Sequence, residues 1–278
     1  MRLFCRTLFF ATFTLLVAGS EAQTPTINSG GVANAASYNT TVAAGSLISI
    51  FGSNLAPVTD SATAIPLPPT MDGVTVTVNN ITAPLWLVSS GQINAQIPWE
   101  ALASSPPTTA NSNAQVVVST RAGGASTPAN VTIAPAAPGV FSINATGSGQ
   151  AVAYNFSDNT FASSTPLPLY PSVPVRPAKI GDPNPLVIYA TGLGAVTVTV
   201  PDGGVPPNGV IAYCVTTPTV LIGGVAANVL FAGLSADPGV YQLNVTLPSG
   251  TPTGNAVSLQ IQMNGFTSRG DVTIAVSN

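Results

Sequence analysis

Apolar and polar residues alternate with a period of two along most of this chain. Val74, Val76 and Val78 flank Thr75 and Thr77; Ile93, Ala95 and Ile97 alternate with Gln92, Asn94 and Gln96. Tyr241, Leu243, Val245 and Leu247 alternate with Gln242, Asn244 and Thr246, and Leu259, Ile261, Met263, Val272, Ile274 and Val276 extend the pattern to the C-terminus. Successive side chains of a strand point to opposite faces. The spacing therefore predicts strands with one face on a core and one in water, the habit of antiparallel sheets. Asn79-Asn80, Gly123-Gly124, Gly203-Gly204, Gly223-Gly224 and Asn264-Gly265 mark turns. A helical pattern is confined to a single turn at Glu100-Ala101-Leu102-Ala103. The expected class is all-β, with short strands folded as β-sandwiches.

The pattern occurs twice. Ile48 to Leu55 aligns with Leu186 to Leu193, and Val76 to Leu87 with Val220 to Phe231, each a strand, a two-residue turn and a strand. Gln92-Ile93-Asn94 to Pro98 aligns with Gln242-Leu243-Asn244 to Pro248, and Gly124 and Val131 to Ala134 with Gly265 and Val272 to Ala275. The offsets are 138, 144, 150 and 141 residues, so loop lengths differ while strand order persists. Two tandem immunoglobulin-like sandwiches are expected, at 23–135 and 176–278. Residues 136–175, with prolines at Pro166, Pro168, Pro171 and Pro174, read as a connector that packs partly on the sandwiches and holds one strand near Ala151 to Phe156, not as a third domain. The 176–278 segment is expected to fold alone.

The first residues have the parts of a secretory signal. Arg2 and Arg6 precede an apolar run from Leu8 to Val17, and Ser20-Glu21-Ala22 offers small residues for cleavage before Gln23. Residues 1–22 are therefore expected to be removed, and the mature chain to carry no transmembrane segment. Loss of Arg2, Arg6 and Glu21 moves the formal charge from −3 to −4. Cys5 goes too, leaving Cys214, which cannot form an intramolecular disulfide. Cys214 lies in Ile211 to Val215, read as a strand, where it acts as a small apolar residue.

Composition narrows the chemistry. Charged residues are 5% of the chain, against ~25% in an ordinary domain. Histidine is absent, which excludes Ser-His-Asp and Cys-His catalysis and His-ligated zinc. Six Lys and Arg residues form no basic stretch, so no nucleic-acid partner is expected. The acids Asp60, Asp72, Glu100, Asp158, Asp182, Asp202, Asp237 and Asp271 are dispersed among turn residues. That suits turns better than a glycosidase pair or a calcium loop. No catalytic, cofactor-binding or metal-binding residue is assigned, no cofactor is expected, and the chain does not read as an enzyme. For binding, Trp86 and Trp99 are the two tryptophans. Trp86 reads as core; Trp99 at a strand end is the more open candidate to stack on a sugar, with Gln92, Asn94 and Gln96 as hydrogen-bonding neighbours.

Several strings resemble one family. Gly30 to Tyr38, Ala44 to Leu55, Gly91 to Trp99, Ala137 to Phe141, Tyr189 to Gly194 and Gly239 to Val245 are similar, in this order, to the Solibacter-type C-terminal domain of exported acidobacterial proteins. The resemblance covers nearly all of the chain after residue 22 and implies halves of the IPT/TIG immunoglobulin-like type. It brings no activity, ligand or catalytic residue. Together these readings point to an exported, non-catalytic structural or adhesive protein, extracellular or at the cell surface, with an unidentified protein or glycan partner. The alternative is a carbohydrate-binding module. Whether exposed aromatic residues form a flat row would distinguish the two.

Overall fold

A computed structural model describes residues 23–101 and 111–278. The signal-like segment 1–22 lies outside the described residues, as do Leu102 and Ala103; Glu100 and Ala101 sit in a turn. The described residues form strands, turns and loops, with no helix.

The chain builds two sandwiches, each of a front and a back sheet. The first front sheet runs in the order Thr26–Asn34, Leu47–Ser53, Gln92–Gln96, Leu85–Val88, Asp60–Ser61. Its back sheet runs Thr41–Ala43, Ala129–Ala134, Ser112–Thr120, Val74–Val78, Ile81–Ala83. The second front sheet runs Thr160–Phe161, Ala153–Asn155, Leu186–Thr191, Tyr241–Thr246, Asn228–Leu234, and its back sheet Gly149–Gln150, Val272–Ser277, Gly254–Met263, Thr219–Ile222, Val225–Ala226. Pairing is antiparallel, except that Thr41–Ala43 and its counterparts Gly149–Gln150 and Ala178–Lys179 lie parallel to the last strand of their sandwich.

The duplication extends to register. Ile48 faces Ala95 and Ile50 faces Ile93 in the first front sheet; Leu186 faces Val245 and Ile188 faces Leu243 in the second. Val78 opposite Ile81 is repeated as Ile222 opposite Val225. The inward residues of each pair of sheets form the cores: Ile48, Ile50, Ile93, Val76 and Val118 in one, Leu186, Ile188, Leu243, Val220 and Ile261 in the other. The turns joining the short hairpins need positive φ at both central positions. Asn79 and Asn80 take +49° and +65°, and Gly223 and Gly224 take +60° and +83°. These are residues that tolerate the left-handed region.

Three expectations are corrected. The stretches expected to be single strands up to Leu87 and Phe231 each change sheets. Ile81–Ala83 belongs to the back sheet and Leu85–Val88 to the front, with Pro84 between them, and proline has no N–H to continue a ladder. The second half breaks likewise between Val225–Ala226 and Asn228–Leu234. Each front strand then carries a bulge, at Trp86 and at Leu230.

Residues 136–175 hold the expected strand, at Ala153–Asn155, but are part of the second sandwich and not a connector beside it. Gly139–Val140 and Ala153–Asn155 pair with Leu186–Thr191. Ala136, Val140, Ala151, Ala153 and Ala162 are buried in the second core. Without them Leu186–Thr191 would present an open edge and the core an open side. The second sandwich therefore begins near Ala136, and the prolines lie in the loop after Phe161. Ile211 to Val215 makes isolated bridges, Val196 to Cys214 and Tyr213 to Gly233, in place of the expected strand.

Candidate binding face

The structure commits several sequence candidates to holding the sandwiches together and places a second group of residues, most of them not singled out in the sequence, on a solvent face. Gln96 belongs to the first. It is 0% exposed; its Nε2 donates to Gly45 O at 3.1 Å, and its Oε1 accepts the Gly203 N–H of the second sandwich at 2.7 Å. The expectation that Gln96 is available to a sugar is thus corrected. Its strand ends where the two sandwiches meet, so alternation alone places it on the outer face while the neighbouring sandwich covers it.

Trp99 is likewise committed. Its ring packs against the second core and over Gly45, and its backbone N–H donates to Asp202 Oδ1 at 2.9 Å. Trp86, expected in the first core, is half-buried at its bulge, with Nε1 donating to Pro238 O at 3.4 Å. Thr191, fully buried, accepts the Leu47 N–H at 2.9 Å and donates to Gly239 O at 2.7 Å. Asn34 Nδ2 donates to Ala137 O at 2.8 Å while its Oδ1 accepts the Ala36 and Ser37 N–H groups. Glycines permit the approach: a Cβ at Gly139 would stand 2.5 Å from Asn34 Oδ1. Buried polar groups of this kind are costly unless paired; those of Gln96, Thr191 and Asn34 are paired across the junction, whereas the buried Trp99 Nε1 has no partner among the described residues.

The second group lies on the outer face of the second front sheet. Phe161, Tyr154, Val187, Asn244 and Phe231 stand opposite one another across five strands. Beside them run Tyr189, Gln242, Gly233 and Tyr213. Ring centroids are 6.5 Å apart for Tyr154 and Phe161, 6.1 Å for Tyr154 and Tyr189, and 5.5 Å for Tyr213 and Phe231, all tilted. Between the two aromatic groups, Gln242 Nε2 donates to Asn244 Oδ1 at 2.8 Å. Val187 is fully buried yet lies outside the core cluster, because this face covers it. An open groove of about 440 Å³ adjoins the amides, lined by Pro207, Ile211, Phe231, Gln242 and Asn244 among others. Tyr213 is 46% exposed. Burial, and next the neighbouring Tyr154 phenol, push the Tyr189 phenol up to about 12, so it is uncharged at neutral pH.

The first sandwich repeats the amide pair and one aromatic position: Phe51 stands opposite Gln92 as Tyr189 stands opposite Gln242, and its ring lies 6.0 Å from that of Tyr38. Gln92 Nε2 donates to Asn94 Oδ1 at 2.8 Å, and Ser49 Oγ also donates to that oxygen at 3.1 Å. Ala33, Ser49 and Leu87 occupy the register positions of Tyr154, Val187 and Phe231. Sequence reasoning found the amides and missed the aromatics. The alignment of Leu87 with Phe231 was a signal already present in the chain.

The acids serve turns and ion pairs. Asp158 Oδ2 meets Arg176 Nε at 2.7 Å, which holds its carboxyl at about 2. Asp271 pairs with Arg269, and Asp60 and Asp182 accept nearby backbone N–H groups. Among the described residues no group of three His, Cys, Asp or Glu side chains is placed to hold a metal ion. Cys214 is a free, buried thiol, pushed up to about 12 by burial. No helix among the described residues is long and apolar enough to cross a membrane.

Strand order defines the class. In each half the opening segment divides between the sheets, pairing antiparallel in front and parallel to the last strand behind. The protein is all-β, two tandem immunoglobulin-like sandwiches. No family model and no curated protein matches the chain. Among solved structures it is similar to the plexin A4 extracellular region, at 12% identity and TM-score 0.27, covering 98% of this chain and 20% of that one. It is similar to Bacteroides ovatus SGBP-B of a mixed-linkage glucan utilisation locus, solved with a heptasaccharide, at 12% and 0.34, covering 92% and 44%. Yersinia pseudotuberculosis InvD stands at 16% and 0.23, covering 91% and 56%. The chain spans 20% to 56% of the length of these structures.

Proposed function

We propose that this chain is an exported, non-catalytic adhesive protein of the Solibacter-type family. In this reading its two sandwiches act as one rigid body that presents the outer face of the second. The observation that carries it is the contrast between the repeats. Core register and the outer amide pair are the same in both, whereas Tyr154 and Phe231 on the outer face of the second stand where the first has Ala33 and Leu87. The paired buried groups at Gln96, Thr191 and Asn34 support rigidity. Their residues belong to the strings that carry the family resemblance, which fits strings that build a junction. The test combines fractionation, intact mass and attachment to the producing cells or their matrix. The expected result is protein outside the cell beginning at Gln23, with attachment lost in Tyr189→Ala and retained in Gln92→Ala. Protein kept inside with residues 1–22, or attachment indifferent to Tyr189, overturns it.

A further inference from the structure

We infer that the aromatic and amide face of the second sandwich binds a neutral polysaccharide chain, laid across the strands from Phe161 to Tyr213. This rests on the adhesive reading and names its ligand. From Phe161 to Phe231 the row crosses five strands, which at ~4.8 Å spacing spans about 19 Å, room for several sugar rings, and Tyr213 lies beyond Phe231. Its chemistry matches a sugar in two respects. Aromatic faces take the apolar C–H faces of a pyranose. The amides take its hydroxyls: Gln242 and Asn244 spend one donor and one acceptor on each other, leaving Gln242 Oε1 and both Asn244 Nδ2 hydrogens for a ligand that is donor and acceptor at once.

Charge argues for neutrality. No Asp, Glu, Lys or Arg lines the groove beside the amides, and the charge that acts on Tyr189, from Asp237, is negative and disfavours an anion. At the far edge, near Phe161, Arg176 and Asp158 neutralise each other. An anionic glycan would find no free cation along the row. The first sandwich supplies an internal control. Its Asn94 amide oxygen is also taken by Ser49, and Leu87 stands where Phe231 would stack.

The test uses the full chain, expressed so that the host processes its N-terminus. Calorimetry is run against cellohexaose, laminarihexaose, mannohexaose and xylohexaose, with polygalacturonate and heparin as charged probes and a Pro-rich peptide as a protein-like one. At least one neutral hexasaccharide should bind. Asn244→Ala and Phe231→Ala should each weaken binding about tenfold or more, and Gln92→Ala less than twofold. Binding should change little between low and high salt. Tyr189→Phe keeps the ring and should stay within about threefold of wild type, so the face remains testable if Phe231→Ala misfolds by circular dichroism. The inference is overturned if no neutral hexasaccharide binds, if only charged probes bind, or if Gln92→Ala weakens binding as much as Asn244→Ala. Peptide binding or attachment to cells through Tyr189 without glycan binding overturns the polysaccharide and leaves the adhesive reading standing.

Discussion

The Trp99 ring lies directly over the Cα of Gly45: a Cβ at position 45 would stand 2.2 Å from two of its ring carbons. Trp99 leaves the first sandwich and packs on the second core, so Gly45 sets how closely the two halves approach. Gly45 also has φ of +72°, which an L side chain adopts at a cost. Gly45→Ala should destabilise the whole chain by about 2–4 kcal/mol, from overpacking plus backbone strain. Denaturant unfolding measures this, and a midpoint unchanged from wild type would show that the ring does not hold the junction.

Thr191→Val keeps the shape of the side chain but leaves the buried Leu47 N–H without its hydroxyl acceptor and Gly239 O without its donor. Unpaired buried groups cost ~1–3 kcal/mol, and the loss should appear in the unfolding of both sandwiches together. A second, separate transition in wild type would contradict the single rigid body.

Asp202 gives the junction a pH dependence. Burial raises its carboxyl above the ordinary 3.8, opposed by the Trp99 N–H and assisted by Glu100. The folded protein then holds this proton more tightly than the unfolded chain. Its contribution to stability is present at low pH and falls as pH rises from 3.8 through the raised folded value. Asp158, lowered to about 2 mainly by Arg176, acts in the opposite sense, losing its contribution as pH falls below 3.8. Asp202→Asn retains an acceptor for Trp99 and should flatten the decline in melting temperature above the ordinary carboxylate range. Superimposable pH profiles for variant and wild type would refute this.

Strand pairing predicts how fragments behave. A fragment of residues 176–278 lacks Gly139–Val140 and Ala153–Asn155 on its front sheet, and Ala136, Ala151 and Ala162 from its core. It should unfold broadly and at low denaturant. A fragment of 136–278 should unfold cooperatively but less stably than the full chain, since it loses Trp99 and Leu47. Equal stability of the two fragments would mean that the 136–175 strands contribute nothing.

Much of the fold was legible because burial of one sheet face writes itself as alternation. Val74 to Val78 and Tyr241 to Val245 are strands in the expected phase, and the offsets between repeats match the observed register of Ile48 with Ala95 and Leu186 with Val245. Of the short strands in 136–175, Ala153–Asn155 was legible as the strand expected near Ala151 to Phe156, whereas Gly139–Val140, Gly149–Gln150 and Thr160–Phe161 were not. Two-residue strands carry too little pattern to stand out from loops. The candidate face was half legible: Gln242 and Asn244 are visible in the alternation, whereas Tyr154, Tyr189, Phe231 and Tyr213 are scattered over the chain and meet only through cross-strand pairing.

The sequence by itself determined the strand class, the duplication, the phase of each longer strand and the poverty of charge, because these depend on local spacing and composition. Only the tertiary structure decided which outward residues remain outward. Gln96 and Gln92 have the same chemistry and the same phase on one strand. Gln96 is sealed against Gly203 because a second sandwich abuts its end of the sheet, while Gln92 stays partly exposed. Alternation records the side of a sheet on which a residue lies. What covers that side is decided by packing between units far apart in the chain.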